Sequence, residues 1–191
     1  MAYQHWSYDT LHRLCMEAFQ KFGFTEAEAD IIQDVLLMPY VDVCIANEED
    51  AKDVFGIEAE NTDIDAGKID HQGYISVARQ LSERFGFRKV AITLRGSISA
   101  SDNDWAAMLY ENGEAVFSPT YRIHIVDRVG GGDSFASGLI YGLMTYEDAQ
   151  KAVNYGVVHG ALAMTTPGDT SMASLKEVEA KVNGAGARVQ R

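Results

Sequence analysis

Hydrophobic and polar positions along this chain follow two periods. Short apolar runs bounded by polar residues predict strands, and stretches with an apolar residue every three or four positions predict helices. The predicted strands are residues 41–46, 90–94, 106–110, 115–117 and 121–126. The predicted helices are residues 48–55, 72–85, 134–143, 146–164 and 174–182. Glu111-Asn112-Gly113-Glu114 is typical of a hairpin turn, so we expect an α/β layered sheet with an antiparallel portion.

The beginning of the chain has a pattern of its own. Apolar residues at helical spacing predict a first helix, which Gly23 is placed to end. Thr25-Glu26-Ala27-Glu28 is a capping box that predicts the start of a second helix, and Pro39 marks where that helix ends. The expected organisation is therefore a helical hairpin over 1–37, a globular domain over 38–183 and a frayed tail over 184–191.

Composition and charge narrow the function classes. The 191 residues carry a formal net charge of −12, which argues against broad contact with nucleic acid or with anionic membranes. Hydrophobic residues make up 47% of the chain, so we expect a packed core rather than disorder. Cys15 and Cys44 lie in apolar runs and indicate neither a disulfide framework nor a metal site. A signal peptide and a membrane span are not predicted, and a cytoplasmic location is expected.

The strongest chemical signal is a run of three glycines, Gly130, Gly131 and Gly132, followed directly by Asp133. Glycines let backbone amides turn toward one point, and the first amides of a helix have no partner within it, so this pattern suits an anion. Asp133 can accept a proton from an attacking hydroxyl. The alternative from the residues alone is that Asp133 is only the N-cap of a helix that begins at Ser134.

The same run resembles the C-terminal signature of the ribokinase-like pfkB family of carbohydrate kinases. The matching residues are Asp127, Gly130, Gly132, Asp133, Phe135 and Gly138. Gly131 stands where alanine is usual, and Arg128 and Val129 stand where threonines are common. The resemblance implies the C-terminal half of a layered α/β/α ribokinase-like sheet. It also implies that Gly130, Gly131 and Gly132 form an anion hole, and that Asp133 is the catalytic base and contacts the substrate.

Two segments resemble parts of that family that border the nucleotide. Asn47-Glu48-Glu49-Asp50 is similar to an Asn-x-x-Glu element, which implies that Asn47 contacts the nucleotide and that Asp50 contacts Mg²⁺ indirectly. An acidic first helical turn is the other interpretation of these carboxylates. The segment 89–97 predicts a buried strand followed by a loop, and the implied nucleotide-binding residues there are Thr93, Arg95, Gly96 and Ser97. Arg95 is interpreted equally as a phosphate ligand and as a solvated loop arginine.

Two further segments extend the resemblance toward the C-terminus. Asn154 lies in a helix rich in small residues whose family counterpart is beside the adenine. Pro167-Gly168-Asp169 is similar to a turn that places a carboxylate near the sugar, so Asp169 is an implied substrate-binding residue. An ordinary surface turn is the alternative for Asp169.

The resemblance implies ATP and Mg²⁺ as cofactors and a sugar acid as substrate, with most similarity to members that act on 2-keto-3-deoxygluconate. The Gly-Gly sugar motif and the strands that precede Asn47 in that family do not occur in this sequence, so we expect little or no turnover from this chain alone. An exposed sheet edge would then be open to pairing between copies. The alternative function is a nucleotide-binding remnant or interaction module without catalysis.

Residues 7–37 resemble a different family, the NAD(P)-dependent malate/L-lactate dehydrogenases, in their N-terminal helical hairpin. A junction is therefore expected near Leu37 and Met38. A dehydrogenase fragment that binds NADH is the less favoured interpretation, because the Asp-Ser-His-Gly-like catalytic sequence of that family does not follow the hairpin.

Overall fold

The computed structural model describes residues 38–47, 51–52, 56–57 and 71–184, together with Glu17, Lys21 and Gly23. The chain divides into two compact units, Met1–Val41 and Asp42–Arg191. In the first unit Glu17 and Lys21 are helical, Gly23 has a φ of 79°, and Met38–Tyr40 form a 3-10 turn. The rest of the predicted hairpin, the tail after residue 184 and most of the predicted helix 48–55 lie outside the described residues, although Ala51 and Lys52 are helical.

Among its described residues, the second unit is built on a mixed sheet of five strands. They are β1 (Val43–Ala46), β2 (Lys89–Ser97), β3 (Asp102–Glu111), β4 (Glu114–Phe117) and β5 (Tyr121–His124). β1 and β2 are parallel, and β3 runs antiparallel to β2. β4 and β5 both pair antiparallel with β3, one after the other along the edge that β2 leaves open. The carboxyl ends of β1, β2 and β5 therefore lie at the same edge of the sheet.

A serine side chain continues the ladder between β4 and β5. The backbone N–H of Ser118 donates to the Ala107 carbonyl at 2.9 Å, and the N–H of Ala107 donates to Ser118 Oγ at 3.0 Å. The hydroxyl thus takes the place of a strand carbonyl, and Ser118 is buried accordingly. Because buried backbone amides need acceptors, this contact keeps β3 paired across the interruption.

The predicted hairpin turn between β3 and β4 is confirmed. Asn112 and Gly113 have φ values of 54° and 84°, and two successive positive φ values are the signature of the type I′ turn that Asn-Gly favours.

Helices cover both faces of the sheet, which confirms the predicted α/β layered architecture. α1 (His71–Phe85) packs on β2 and β3 through Val77, Ala78 and Leu81. On the other face lie the three remaining helices of the described part, α2 (Gly131–Thr145), α3 (Ala149–Met164) and α4 (Leu175–Val182). Within the described residues, every helix is too short or too polar to span a bilayer.

Trp105 anchors the layer formed by α2 and α3. Its Nε1–H donates to the Val157 carbonyl at 3.1 Å, and its ring meets Phe135 edge-on with centroids 6.3 Å apart. Both aromatic rings are buried, with exposed fractions of 2% and 0%. A buried indole with its N–H paired fixes the height of α3 over β3, and the edge-on ring contact fixes α2 beside it.

Element boundaries differ from the predictions where tertiary pairing decides them. The predicted loop at Arg95, Gly96 and Ser97 is wrong, because these residues continue β2 and pair with Trp105, Asp104 and Asn103 of β3. β1 begins at Val43 rather than at residue 41, because the N–H of Val41 closes the preceding turn onto Met38 O at 3.0 Å.

The helical layer shows the same kind of difference. β5 ends at His124, and the N–H of Val126 then donates to the carbonyl of Met164 at the end of α3 instead of to a strand. α3 begins at Ala149, not at residue 146, because the side chain of Asp148 caps it by accepting from Lys151 N–H.

Candidate functional site

The chain turns from β5 into α2 at Gly130, which has a φ of 78° and is the N-cap of the helix. No side chain caps this end, and the N–H of Gly131 reaches the Arg128 carbonyl only at 3.4 Å. The first amides of α2 therefore face outward at the positive end of a 15-residue helix, an arrangement suited to an anion.

Asp133 is the third residue of α2, and its side chain is exposed. The alternative that Asp133 is an N-cap is wrong, as is the predicted start at Ser134, because α2 begins three residues earlier. Glycine has a low helix propensity, so the sequence pattern alone placed the start too late.

Asp127 connects the turn at Gly130, which we call the glycine turn, to the loop that follows α3. One carboxylate oxygen accepts from the N–H of Val129 at 3.0 Å, and the other accepts from the N–H of Gly168 at 3.2 Å. These two backbone hydrogen bonds lower the pKa of Asp127, because they stabilise the charged form.

The turn at Pro167-Gly168-Asp169 lies directly against Gly130. A Cβ atom placed on Gly130 would come within 2.2 Å of the Asp169 carbonyl oxygen, so this contact admits only glycine. The structure thus brings the implied substrate residue Asp169 to the glycine turn. Its carboxylate is exposed and accepts from the Thr170 hydroxyl at 3.2 Å.

The residues that the resemblance implies at the nucleotide differ in their exposure and in their distance from the carboxyl edge of the sheet. Asn47 directly follows β1, and the pairing of Ala46 with Ile92 puts it level with Thr93, in the middle of β2 and four residues before that strand reaches the carboxyl edge of the sheet. Arg95 is exposed at that edge, whereas Thr93 is only 7% exposed and lies among the core residues. Gly96 and Ser97 belong to the β2–β3 ladder and lie at the same edge.

Asn154 is not brought to the glycine turn. It lies half-buried on α3, and its amide oxygen accepts from Gln150, which also donates to the Phe117 carbonyl. The other end of α3, at Met164, contacts Gly131. At 1.5 Å per residue, Asn154 lies about 15 Å along the helix from that end.

A recess that the sequence analysis missed opens beside the turn. Its lining includes Arg95, Asn103, Trp105, Arg128, Gly131 and Gly132. Arg128 donates through Nη2 to the Ala100 carbonyl at 2.9 Å. An arginine inside a glycine motif and an asparagine two positions before a strand tryptophan were the available signals, but neither showed that the two residues meet.

The predicted metal contact at Asp50 lies outside the described residues. In the part of the chain that the structure describes, no three side chains of His, Cys, Asp or Glu gather at one point. The carboxylate oxygens of Asp127 are both bonded to backbone amides.

With this geometry in place, comparison with known proteins is informative. The sequence matches the pfkB family carbohydrate kinases over residues 26–176. The chain belongs to this family. The resemblance seen in the glycine motif is thereby confirmed, and the match begins within the second helix of the predicted hairpin. The dehydrogenase-like head and the junction near Leu37 stay predictions.

Three relatives of this pfkB family chain show what share of their length the chain covers. A 2-dehydro-3-deoxygalactonokinase of Haloferax volcanii is 28% identical over 156 residues, which are 81% of this chain and 42% of the relative. The crystal structure of 2-dehydro-3-deoxygluconokinase from Thermotoga maritima is 37% identical, with a TM-score of 0.76 over 92% of this chain and 55% of that one. A fructokinase from Vibrio cholerae, solved with fructose, ADP and calcium bound, shares the fold at 21% identity and a TM-score of 0.60, over 82% of this chain and 46% of that one. The chain thus spans about half the length of these relatives.

The lowered pKa of Asp127 makes a prediction for acid stability. A carboxyl whose folded pKa lies below its unfolded value stabilises the fold above the unfolded pKa, and this contribution is lost as pH falls through the folded pKa. We expect Asp127→Asn to lower the Tm at pH 7 and to flatten the decline of the Tm between about pH 5 and pH 2. Glu114→Gln, at the exposed hairpin, is the matched control and should follow the wild type. An unchanged slope in Asp127→Asn would contradict the tie between the two loops.

Proposed function

We propose that this chain supplies the nucleotide side of a kinase that transfers a phosphoryl group from ATP to a hydroxyl of a sugar acid, 2-keto-3-deoxygluconate. The observation that carries the proposal is the glycine turn, where outward-facing amides of α2 lie beside the exposed carboxylate of Asp133. Family membership supports the reaction class. The names of the Haloferax and Thermotoga relatives support a 2-keto-3-deoxy sugar acid as the substrate.

Asp133 and the glycine turn have different roles in the proposed reaction: the carboxylate accepts a proton, and the backbone amides stabilise negative charge. Asp133 accepts the proton of the substrate hydroxyl as the hydroxyl oxygen attacks the γ-phosphorus, and the bond to the bridging oxygen breaks so that ADP leaves with the electron pair. Backbone amides at Gly130, Gly131, Gly132 and Asp133 hold the charge that develops on the phosphoryl oxygens. A preorganised donor of this kind lowers the activation free energy by about 3–4 kcal/mol. ATP is proposed to bind as its Mg²⁺ complex, and no step is assigned to the metal.

The 191 residues by themselves are proposed to be weakly active or inactive. Positioning of the two substrates can supply about 7–11 kcal/mol, more than one set of oxyanion donors. The chain spans about half the length of its relatives, and the Gly-Gly motif that forms part of the sugar pocket in the family does not occur ahead of Asn47 in its sequence. Without that pocket the larger contribution is lost, so slow turnover is expected even where ATP binds.

Calorimetry with Mg–ATP, followed by a coupled ADP-release assay with 2-keto-3-deoxygluconate, tests the proposal. We expect binding with little turnover from the chain as it stands. We also expect turnover once the chain is completed at its N-terminus with the corresponding part of the Thermotoga maritima enzyme. No nucleotide binding would contradict the proposal. Binding without turnover in the completed chain would favour the non-catalytic nucleotide-binding module, and robust turnover by the chain alone would contradict its weak activity.

Two further proposals concern residues away from the turn. Asn47, Thr93, Arg95, Gly96, Ser97 and Asn154 are proposed nucleotide contacts, with Thr93 and Asn154 the least accessible to it in this structure. Pairing between copies through the sheet edge at β1 is proposed because β1 is the last strand of the sheet among the described residues and Ile45 on it is exposed.

A substitution at Asp169 tests the sugar side of the proposed site independently of the nucleotide side. In the completed chain we expect Asp169→Ala to raise the KM for the sugar acid about 10- to 100-fold, the value of a hydrogen bond to a charged group, with the KM for ATP nearly unchanged. Glu147→Ala removes an exposed carboxylate just after α2, at the far end of that helix from the turn, and is the control. Unchanged sugar kinetics would contradict the role of Asp169 and leave the kinase reaction standing.

A further inference from the structure

The recess beside the glycine turn contains a buried oxygen without a hydrogen-bond partner. Asn103, on β3, is 4% exposed, and its Oδ1 atom makes no hydrogen bond within the described residues. Its strand position puts it on the same face as Trp105, the face that α2 and α3 cover. Buried amide oxygens are almost always paired, because an unpaired one has lost its water without compensation. Asn103 Oδ1 is therefore an acceptor that is available to a donor entering this recess.

Two guanidinium groups line the same recess. Arg95 stands opposite Trp105 in the β2–β3 register, and its guanidinium carbon lies 5.7 Å from the centre of the indole ring. Arg128 enters from the loop between β5 and α2 and is held at one N–H by the Ala100 carbonyl. A guanidinium has five N–H donors in a planar fork, so a single carbonyl contact leaves most of them available to an anion.

The charge of the recess favours a phosphate over a carboxylate. Two guanidinium groups and the amino end of α2 converge where Gly131 and Gly132 form the wall. A terminal phosphate carries nearly two negative charges and three acceptor oxygens, whereas a carboxylate carries one charge and two oxygens. In a chain with a net charge of −12, such a concentration of positive groups marks a specific anion site rather than general surface charge.

We propose that Arg95 and Arg128 grip the γ-phosphate of ATP and that Asn103 is the residue that positions them. A guanidinium that binds a phosphate with one edge can present its other edge to Asn103 Oδ1. That contact pairs the buried oxygen and fixes the plane of the fork. The inference rests on the proposed kinase function: it assigns the γ-phosphate to Arg95, and it adds Arg128 as a second ligand and Asn103 as the acceptor behind them.

The test is the affinity of the chain for Mg–ATP and Mg–ADP, measured by calorimetry, because it requires no turnover. We expect Arg128→Gln to weaken Mg–ATP about 10- to 100-fold and to leave Mg–ADP nearly unchanged, since only ATP carries the gripped group. Arg128→Lys keeps the charge without the fork and should fall between the wild type and Arg128→Gln. Asn103→Leu, of similar volume, should lose part of the preference for ATP.

Arg122→Gln is the matched control, because Arg122 is an exposed arginine on β5 that pairs with Asp104, away from the recess. It should leave both affinities unchanged. An unchanged ATP preference in Arg128→Gln would overturn the proposal, as would an equal loss for ATP and ADP, which would place the guanidinium on an inner phosphate. Mg–ADP binding in the wild type shows that the nucleotide site itself exists, so a failure of the grip is distinguishable from a failure of the proposed function.

Discussion

Replacing Asp133 with asparagine is expected to reduce kcat by about 10²- to 10⁴-fold, the usual value of a positioned base. Asparagine has nearly the same size and keeps a polar oxygen at the third position of α2, but it cannot accept the proton from the attacking hydroxyl. The side chain is exposed, so the substitution leaves the core untouched. Its only structural cost is the loss of a favourable charge at a helix N-terminus, about 0.3–1 kcal/mol.

The measurement is ADP release by the completed chain, together with calorimetry of Mg–ATP on the chain itself. We expect the affinity for Mg–ATP to stay close to that of the wild type, because the amides that hold the phosphates are unchanged. Glu147→Gln is the control for removal of an exposed carboxylate near the far end of α2. If Asp133→Asn kept most of its turnover, the base would have to be another group and the mechanism would be wrong.

Replacing Gly130 with alanine is expected to destabilise the fold by about 2–4 kcal/mol and to abolish tight nucleotide binding. Two effects combine at this residue. Its φ of 78° lies in the left-handed region, which costs a residue with a Cβ atom about 1–2 kcal/mol. The added Cβ would also meet the Asp169 carbonyl at 2.2 Å, so either the turn or the loop after α3 must move.

Gly132→Ala is an unusually close control for this prediction. Gly132 is two residues away in the same turn, but a Cβ atom there would meet nothing within 4 Å. We therefore expect Gly132→Ala to leave the free energy of unfolding unchanged or to raise it by up to about 1 kcal/mol, because alanine has the higher helix propensity. Urea denaturation of both variants measures the difference. Equal stability of the two would contradict the contact between Gly130 and Asp169.

Local sequence signals predicted those features that depend on neighbouring residues. Asn112-Gly113 specified its own turn, because few residues adopt two positive φ values in succession. The last helix was predicted over residues 174–182 and is observed at Leu175–Val182, where Ser174 and Glu177 form a capping box. The glycine motif likewise predicted the outward-facing amides at the start of α2, although not the residue at which the helix begins.

Features that depend on distant residues were not predictable in this way. Arg95-Gly96-Ser97 has the composition of a loop, and only the partner strand at residues 103–105 makes it a strand. The placement of Asp169 on Gly130 and of Asn103 beside Arg128 joins segments from different parts of the chain, so no local pattern encodes either contact. Resemblance to a family implied only that Asp169 lies near the sugar, and both contacts were first seen in the structure.

The direction of β3 has a practical consequence. The strand runs from the recess at Asn103 to the hairpin at Asn112-Gly113, so the hairpin and the glycine turn lie at opposite edges of the sheet. At about 3.3 Å per residue, the two ends are roughly 30 Å apart. A fluorescent dye attached through a cysteine introduced at Glu114, which is exposed at the hairpin, would therefore sit at a separation suited to energy transfer from a labelled nucleotide. Occupancy of the site could then be followed in real time without altering any residue that is proposed to touch the ligand.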